Sequence, residues 1–171
     1  ITKQQAAQVS SFIYVGLCVG SVMIPFISQR ILGNKRFILL GLTMIALGFY
    51  SLVYGPHYSI GMASGLCLMI GFFSGVEMLC FANACSVLPP RMAGIVTGFV
   101  NGVVMLGGSL LQQFIGYVLD RLWDGTMTTQ GTRAYSTADF QSAFYLLGGC
   151  LVVTLLISVF LKSQRKSLTA I

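Results

Sequence analysis

Apolar residues gather into five long runs separated by short polar breaks, and each run is long enough to be a helix that crosses a bilayer. Such a helix needs roughly 20 mostly apolar residues to cross a hydrocarbon core about 30 Å thick, because each residue rises only about 1.5 Å. The runs cover residues 6–28, 37–54, 59–88, 93–119 and 140–161. None alternates apolar with polar positions over about ten residues, as a strand of a membrane barrel would. The pattern predicts an all-α fold, a polytopic membrane helix bundle with five transmembrane helices in one domain and a tail at residues 162–171. Gly55-Pro56-His57-Tyr58 reads as a tight turn between the second and third runs, and Pro89-Pro90 ends the third, since proline has no N–H to continue a helix. Residues 120–139, rich in Gly, Thr and Ser, read as an irregular surface loop.

Composition removes the soluble alternatives. Hydrophobic residues make up 56% of the chain, charged residues 8%, and mean hydropathy is +0.85, which leaves too little charge to solvate a water-facing exterior. The net charge of +6 is not a nucleic-acid footprint, because its bases sit at the ends of apolar runs. Arg30, Lys35 and Arg36 follow the first run, Arg91 follows the third, and Lys162, Arg165 and Lys166 follow the fifth, whereas the break after the second has no Lys or Arg. Basic segments favour the cytoplasmic side, so these three are expected inside, with the carboxyl terminus. The 120–139 loop balances Arg121 and Arg133 against Asp120, Asp124 and Asp139, and is expected outside along with Lys3. Cys18, Cys67, Cys80, Cys85 and Cys150 all fall in apolar runs without metal-ligand spacing and read as small packing residues. His57 reads as a solvated loop residue. The chain begins at Ile1 with no charged stretch or small-residue cleavage site ahead of its first run, so further sequence upstream is expected.

Polar residues inside the runs are unevenly shared. The second and fifth have no charged, Asn or Gln residue in their interiors and can face lipid, while the other three carry polar stripes that should turn toward helices or a watery cavity. In the first, Ser10, Tyr14, Ser21 and Ser28 fall on one helical face. In the fourth, Thr97, Asn101, Gly108 and Gln112 do the same, with Gln113 beside them. In the third, Ser74 and Glu77 are neighbours one turn apart, flanked by Phe73 and Phe81, while Asn83 points elsewhere. Glu77 is the one acidic residue within a run, and counting back from Pro89 places it about 18 Å up the helix, near mid-membrane. A carboxylate there must be paired, facing water or protonated, so Glu77 reads either as a proton relay or cation ligand, or as a structural hydrogen-bonding group. Asn101, Gln112 and Gln113 read as cavity contacts or as ties between helices. Gly94, Gly98 and Gly102, Gly16 with Gly20, and Gly71 with Gly75 have the four-residue spacing that lets two helix backbones approach closely, and read as packing. No metal-spaced His/Cys/Asp set, nucleophile elbow, phosphate loop or pair of intramembrane acids is present, so no catalytic role, metal or cofactor is assigned.

The order polar, apolar, polar, polar, apolar would become two polar-polar-apolar triplets with one more helix in front, the inverted-repeat plan of many secondary transporters. The strings PFISQR at residues 25–30 and GYVLDR at residues 116–121 align their arginines in the two triplets. The loop Ser28-Gln29-Arg30-Ile31-Leu32-Gly33-Asn34-Lys35-Arg36 resembles a degenerate copy of the D-R-x-G-R-R cytoplasmic loop that recurs between the eighth and ninth helices of the major facilitator superfamily. Gln29 stands where that family has an acid, and one extra residue separates Arg30 from Gly33. The stretch AGIVTGFVNGVVMLGGSLLQQFIGYVLD, residues 93–120, is similar to the family's eleventh helix, with Gly98, Asn101, Gly107, Gly108, Gln112 and Gly116 in its customary places. GFFSGVEMLCFA, residues 71–82, is similar to phagosomal-type nutrient transporters, a subgroup associated with amino acids and nucleosides.

The resemblance covers nearly the whole chain. It implies the last five of twelve helices, a six-helix half lacking its first, in a bacterial cytoplasmic membrane. The implied activity is secondary transport of a small polar solute (amino acid, nucleoside, sugar or organic acid) by alternating access, without enzymatic chemistry. The implied partners are the lipid bilayer, the solute, a coupling proton or sodium ion and the amino-terminal half of the same protein. Glu77, Asn101, Gln112 and Tyr14, then Ser74 and Gln113, are the candidates for cavity or coupling roles. Gln29, Arg30, Gly33, Lys35 and Arg36 form the motif-like loop. The competing readings are a non-transporting membrane bundle or subunit, and an intramembrane enzyme.

Overall fold

Away from water a backbone must satisfy its own hydrogen bonds, and long apolar runs do so as helices. The computed structural model describes residues 2–30, 33–56, 58–127 and 131–160. His57, the basic residues Lys162, Arg165 and Lys166, and the end of the fifth predicted run at Leu161 lie outside the described residues. The helices are α1 (Lys3–Arg30), α2 (Asn34–Tyr54), α3 (Ile60–Ser74), α4 (Glu77–Ser86), α5 (Ala93–Leu122) and α6 (Thr137–Val159), with a 3₁₀ turn at Pro90–Met92. Among the described residues there is no β-strand beyond one isolated bridge, Met127 to Arg133. Among the described residues five segments are long and apolar enough to cross a membrane: Gln4–Arg30, Asn34–Tyr54, Ile60–Ser86, Pro90–Leu122 and Thr137–Val159. They correspond one to one with the predicted runs, each differing by a few residues at its ends.

Local chemistry sets several of those ends. The Gly55 N–H donates to the Ser51 carbonyl at 2.9 Å and closes α2, and the Ser51 and Tyr58 hydroxyls meet at 2.6 Å across the turn. Ser59 caps α3 by accepting from the Met62 N–H at 3.4 Å. At α6, the Ser136 N–H donates to the Asp139 carboxylate at 2.7 Å while the Asp139 N–H donates to the Ser136 hydroxyl at 3.2 Å, a reciprocal capping box.

The third predicted run is not one continuous helix. Gly75 and Val76 form a turn between α3 and α4, in which Gly75, Val76, Met78 and Leu79 donate to carbonyls three residues back rather than four. Gly75 stands against α1 there, and a Cβ on it would strike the Gly20 carbonyl carbon and come within 2.6 Å of the Ser21 nitrogen.

The described chain separates into two compact units, one running to Asn83 and resuming at Leu151, the other Ala84–Cys150. In the first, α1 and α3 make the most extensive helix contact. Glycines enable it: a Cβ on Gly16 would stand 2.7 Å from the Phe72 nitrogen, one on Gly20 2.8 Å from the Phe72 carbonyl carbon, and one on Gly71 2.7 Å from the Ile13 carbonyl carbon. Gly16 and Gly20 thus meet Gly71 and Gly75 face to face, as their spacing predicts. Rising residue numbers on α1 meet rising numbers on α3, so the two helices run parallel, as first and third spans of an alternating chain must. On α2, Gly41 receives the Val76 side chain, and Gly48 receives Ile70 and Met69, whose Cγ1 and Cε lie 2.7 Å and 2.9 Å from where a Cβ would be. Below the crossing, Ile24, Phe37, Ile38, Val76 and Leu79 form a buried cluster backed by Ile27, Leu42, Ile45 and Phe72.

In the second unit, the Cys85 thiol lies 3.4 Å from the Thr97 hydroxyl and fastens the end of α4 to the start of α5. Most of α5 is exposed, including large apolar side chains such as Ile95 (69%) and Phe99 (72%), compatible with a membrane-spanning helix.

Candidate functional site

Glu77 is the first residue of α4, immediately after the turn that interrupts the third span. The sequence places it inside a continuous helix; the structure places it at the start of a new one, where the helix dipole favours a carboxylate although the first-turn N–H groups of Met78, Leu79 and Cys80 already donate to Gly75 and Val76 carbonyls. Ser74 is the last residue of α3, and its hydroxyl donates to the Ile70 carbonyl at 2.8 Å. The two residues therefore belong to different helices rather than to one stripe. Both are half-buried.

The stripe read on the first span does not behave as one face. Ser28 is fully buried, Ser21 is half-buried, and Ser10 and Tyr14 are exposed, Tyr14 by 73%. Gly20 and Gly75 lie at the same level, Tyr14 is six residues before the one and Glu77 two residues after the other. Eight residues of rise separate them, about 12 Å along the pair. Tyr14 and Glu77 do not share one site within this unit. The hydroxyls of Ser10, Ser21, Ser28, Ser74 and Thr97 each donate to a carbonyl three or four residues back on their own helix. Such back-bonding satisfies a hydroxyl in an apolar setting without water or a ligand.

On α5, Asn101, Gln112 and Gln113 are exposed, and no hydrogen-bond partner for their carboxamides occurs among the described residues. At about 100° per residue, Gly94, Gly98, Asn101, Gly108, Gln112 and Gly116 fall within one sector about 80° wide. The glycine spacing and the amide stripe, read separately in the sequence, are one face. Beyond the helix's own backbone, no atom of the described residues lies within 4 Å of where a Cβ would stand on Gly94, Gly98, Gly102, Gly108 or Gly116. Asn101, Gln112 and Gln113 belong to the second unit, whereas Tyr14, Ser74 and Glu77 belong to the first.

In the basic loop, Gly33 has φ +75°, a conformation that side chains resist, and its N–H donates to the Ser28 carbonyl at 2.8 Å. Arg30 stacks over the Phe26 ring at 4.3 Å, and Gln29 and Arg36 are exposed. Lys35 is half-buried on the first turn of α2 and donates through Nζ to the Val159 carbonyl at 2.7 Å, a cation at the negative end of α6. Beside it, the Ser28 hydroxyl contacts Asn34 Oδ1 at 3.4 Å, and Asn34 Nδ2 donates to Asn83 Oδ1 at 3.2 Å. This chain ties the end of α1, the start of α2 and α4 together. Sequence reading set Asn83 aside and missed Asn34; the available signal was a carboxamide on each of two neighbouring apolar segments.

A second polar group is also longer-ranged than sequence could show. Asp120, in the last turn of α5, accepts from the Arg133 guanidinium and from the Tyr135 hydroxyl, the latter at 2.7 Å. That bond pushes the Tyr135 hydroxyl above its usual range, and the Asp120 carboxylate holds the Arg133 proton more firmly. Asp124 is lowered, chiefly by accepting the Thr126 N–H at 3.0 Å. Among the described residues, no group of three or more His, Cys, Asp or Glu is placed to hold a metal ion.

No family model matches the chain, and neither a curated protein nor a solved structure matches it.

Proposed function

We propose that this chain is part of a major facilitator-type secondary transporter that moves a small polar solute across a bacterial cytoplasmic membrane by alternating access. The observation that carries this reading is the division of labour among the helices. α5 carries Asn101, Gln112 and the glycines at 94, 98, 108 and 116 in one sector, with most of its large apolar side chains outside it, and a carboxylate stands at the helix interruption in the third span, while α2 and α6 lack Asn, Gln and charged residues beyond their first turns apart from Gln141. A discontinuous membrane helix presenting a half-helix end at mid-depth is a recurrent way of building solute and ion sites in secondary transporters. Glu77 is assigned to coupling with a proton or sodium ion, or to recognising a cationic group on the solute. Asn101 and Gln112, with Gln113 beside them, are assigned to hydrogen bonding with the solute, and Ser74, three residues before Glu77, to supporting Glu77. Tyr14 is assigned to the first unit's own exposed face, since it stands two turns from the level of Glu77.

One observation favours a second reading, a non-transporting bundle or subunit. Asn101 lies among glycines that suit close approach of another helix, so the same face can be sealed by packing rather than open to water. Uptake into proteoliposomes of the protein in its complete natural form, scanned over amino acids, nucleosides and sugars, separates the two. The transporter reading expects concentrative uptake that Glu77→Gln uncouples from the ion gradient, with accumulation falling at least tenfold, and that Asn101→Ala weakens through KM. Uptake indifferent to both variants would remove the site assignment, and no gradient-driven flux of any solute would leave the bundle reading.

A further inference from the structure

The connection between α5 and α6 reads as slack in the sequence, yet its polar groups close on one another. Asp120 accepts on one carboxylate oxygen from both Arg133 and Tyr135. The Arg133 guanidinium also lies over the Trp123 ring at 4.7 Å, and the Trp123 indole N–H donates to the Thr126 carbonyl at 2.8 Å. Thr126 then pairs with Ala134, whose N–H donates back to the Thr126 carbonyl at 3.1 Å. On the α6 side, the Tyr135 ring meets Phe140 edge-on at 6.0 Å, and Phe140 meets Phe144 at 6.3 Å. An unbroken set of contacts thus runs from the last turn of α5 to the first turns of α6.

The position of Asp120 is itself informative. A carboxylate in the last turn of a helix opposes the helix dipole, so Asp120 does nothing for α5 alone. What it gains comes from Arg133 and Tyr135, thirteen and fifteen residues away. An isolated exposed ion pair holds little, but here each partner is held by a further contact, and such networks couple their members.

We propose that Asp120, Trp123, Thr126, Arg133, Ala134, Tyr135 and Phe140 form a closed clasp that ties the last turn of α5 to the first turn of α6, so that the two helix ends hold or fray together. This stands whether or not the protein transports a solute. Amide hydrogen exchange on the whole chain in micelles tests it, comparing the natural sequence with Asp120→Asn and Tyr135→Phe. In Asp120→Asn, residues 119–122 and 140–143 are expected to exchange at least tenfold faster together, while the amides of 16–20 and 68–72 keep their rates. Neutralising Asp120 also relieves its clash with the α5 dipole, so without a clasp the end of α5 would exchange more slowly, the opposite sign. The same two segments should respond in Tyr135→Phe by a smaller factor. Faster exchange confined to residues 124–134, or unchanged rates at both helix ends, overturns the proposal. If Asp120→Asn loosens the α1–α3 amides as well, Tyr135→Phe, which keeps the ion pair, decides by the same criterion.

Discussion

On α1, Gly16 and Gly20 meet Gly71 of α3 and Gly75 of the turn after it so closely that no Cβ fits between the backbones, whereas on α5, Gly94, Gly98 and Gly102 repeat the spacing and have no neighbour within 4 Å among the described residues. The comparison separates two things that a small-xxx-small pattern is often asked to report at once. Spacing decides whether a helix can be approached, and the partner decides whether it is. α3 qualifies because its own glycines stand at the levels where α1 presents carbonyls, so both backbones yield at each crossing point. α2 shows a third outcome, in which Gly41 and Gly48 serve as notches for the side chains of Val76, Met69 and Ile70.

The largest effect expected from breaking this comparison is Gly20→Leu. Its side chain would have to pass through the Phe72 backbone, so α1 and α3 must separate along their whole contact, at a cost of about 3 kcal/mol, the upper end for overpacking. Gly98→Leu meets no atom of the described residues and replaces a helix-destabilising glycine, so it should carry no cost and raise stability by up to about 0.8 kcal/mol. Helical circular dichroism followed through titration with sodium dodecyl sulfate in mixed micelles measures both. A Gly98→Leu cost equal to that of Gly20→Leu would mean that a helix covers the α5 face.

Alanine sharpens the same contrast by sign. At Gly98 it removes a helix-destabilising residue without meeting an atom, and stability should rise by up to about 1 kcal/mol. At Gly71 the added methyl meets the Ile13 carbonyl, and the same substitution should lower stability despite the same gain in propensity. Two falls, or two rises, in the same titration would erase the distinction between the faces.

Much of the helical framework is legible in the residues because it rests on local causes. Apolar run length, Pro89-Pro90, and the serines at 59 and 136 need only their immediate neighbours to act. The interruption at Gly75 and Val76 is not legible, since Ser-Gly-Val-Glu is tolerated within a helix and the α1 backbone that stands against Gly75 lies about 55 residues away in sequence. The 120–139 loop reads as irregular because Gly, Thr and Ser dominate it, while the closure of its described residues comes from Asp120 and Arg133 meeting across thirteen residues. Helical angle puts Ser10, Tyr14, Ser21 and Ser28 on one face, but burial depends on which neighbours reach each level, and only Ser28, beside Asn34 at the start of α2, is fully covered. For the candidate site, residue type marked Glu77 and the α5 amides as unusual; which unit each belongs to, and that Ser74 and Glu77 sit on different helices, required coordinates.

The smallest effect concerns two asparagines that composition cannot tell apart. Asn83 accepts from Asn34, which contacts the buried Ser28, whereas Asn101 stands exposed with no partner among the described residues. A hydrogen bond between membrane helices contributes on average about 0.6 kcal/mol, so Asn83→Leu should cost about that much and Asn101→Leu close to nothing. The cost at position 83 has a diagnostic structure. If it comes from the bond to Asn34, then pairing Asn83→Leu with Asn34→Leu should cost less than the two single changes summed, because the second removes a group the first left unsatisfied. Additive costs would mean that the bond to Asn34 contributes nothing to the cost at Asn83, and a cost at Asn101 equal to that at Asn83 would show that the α5 face has found a partner of its own.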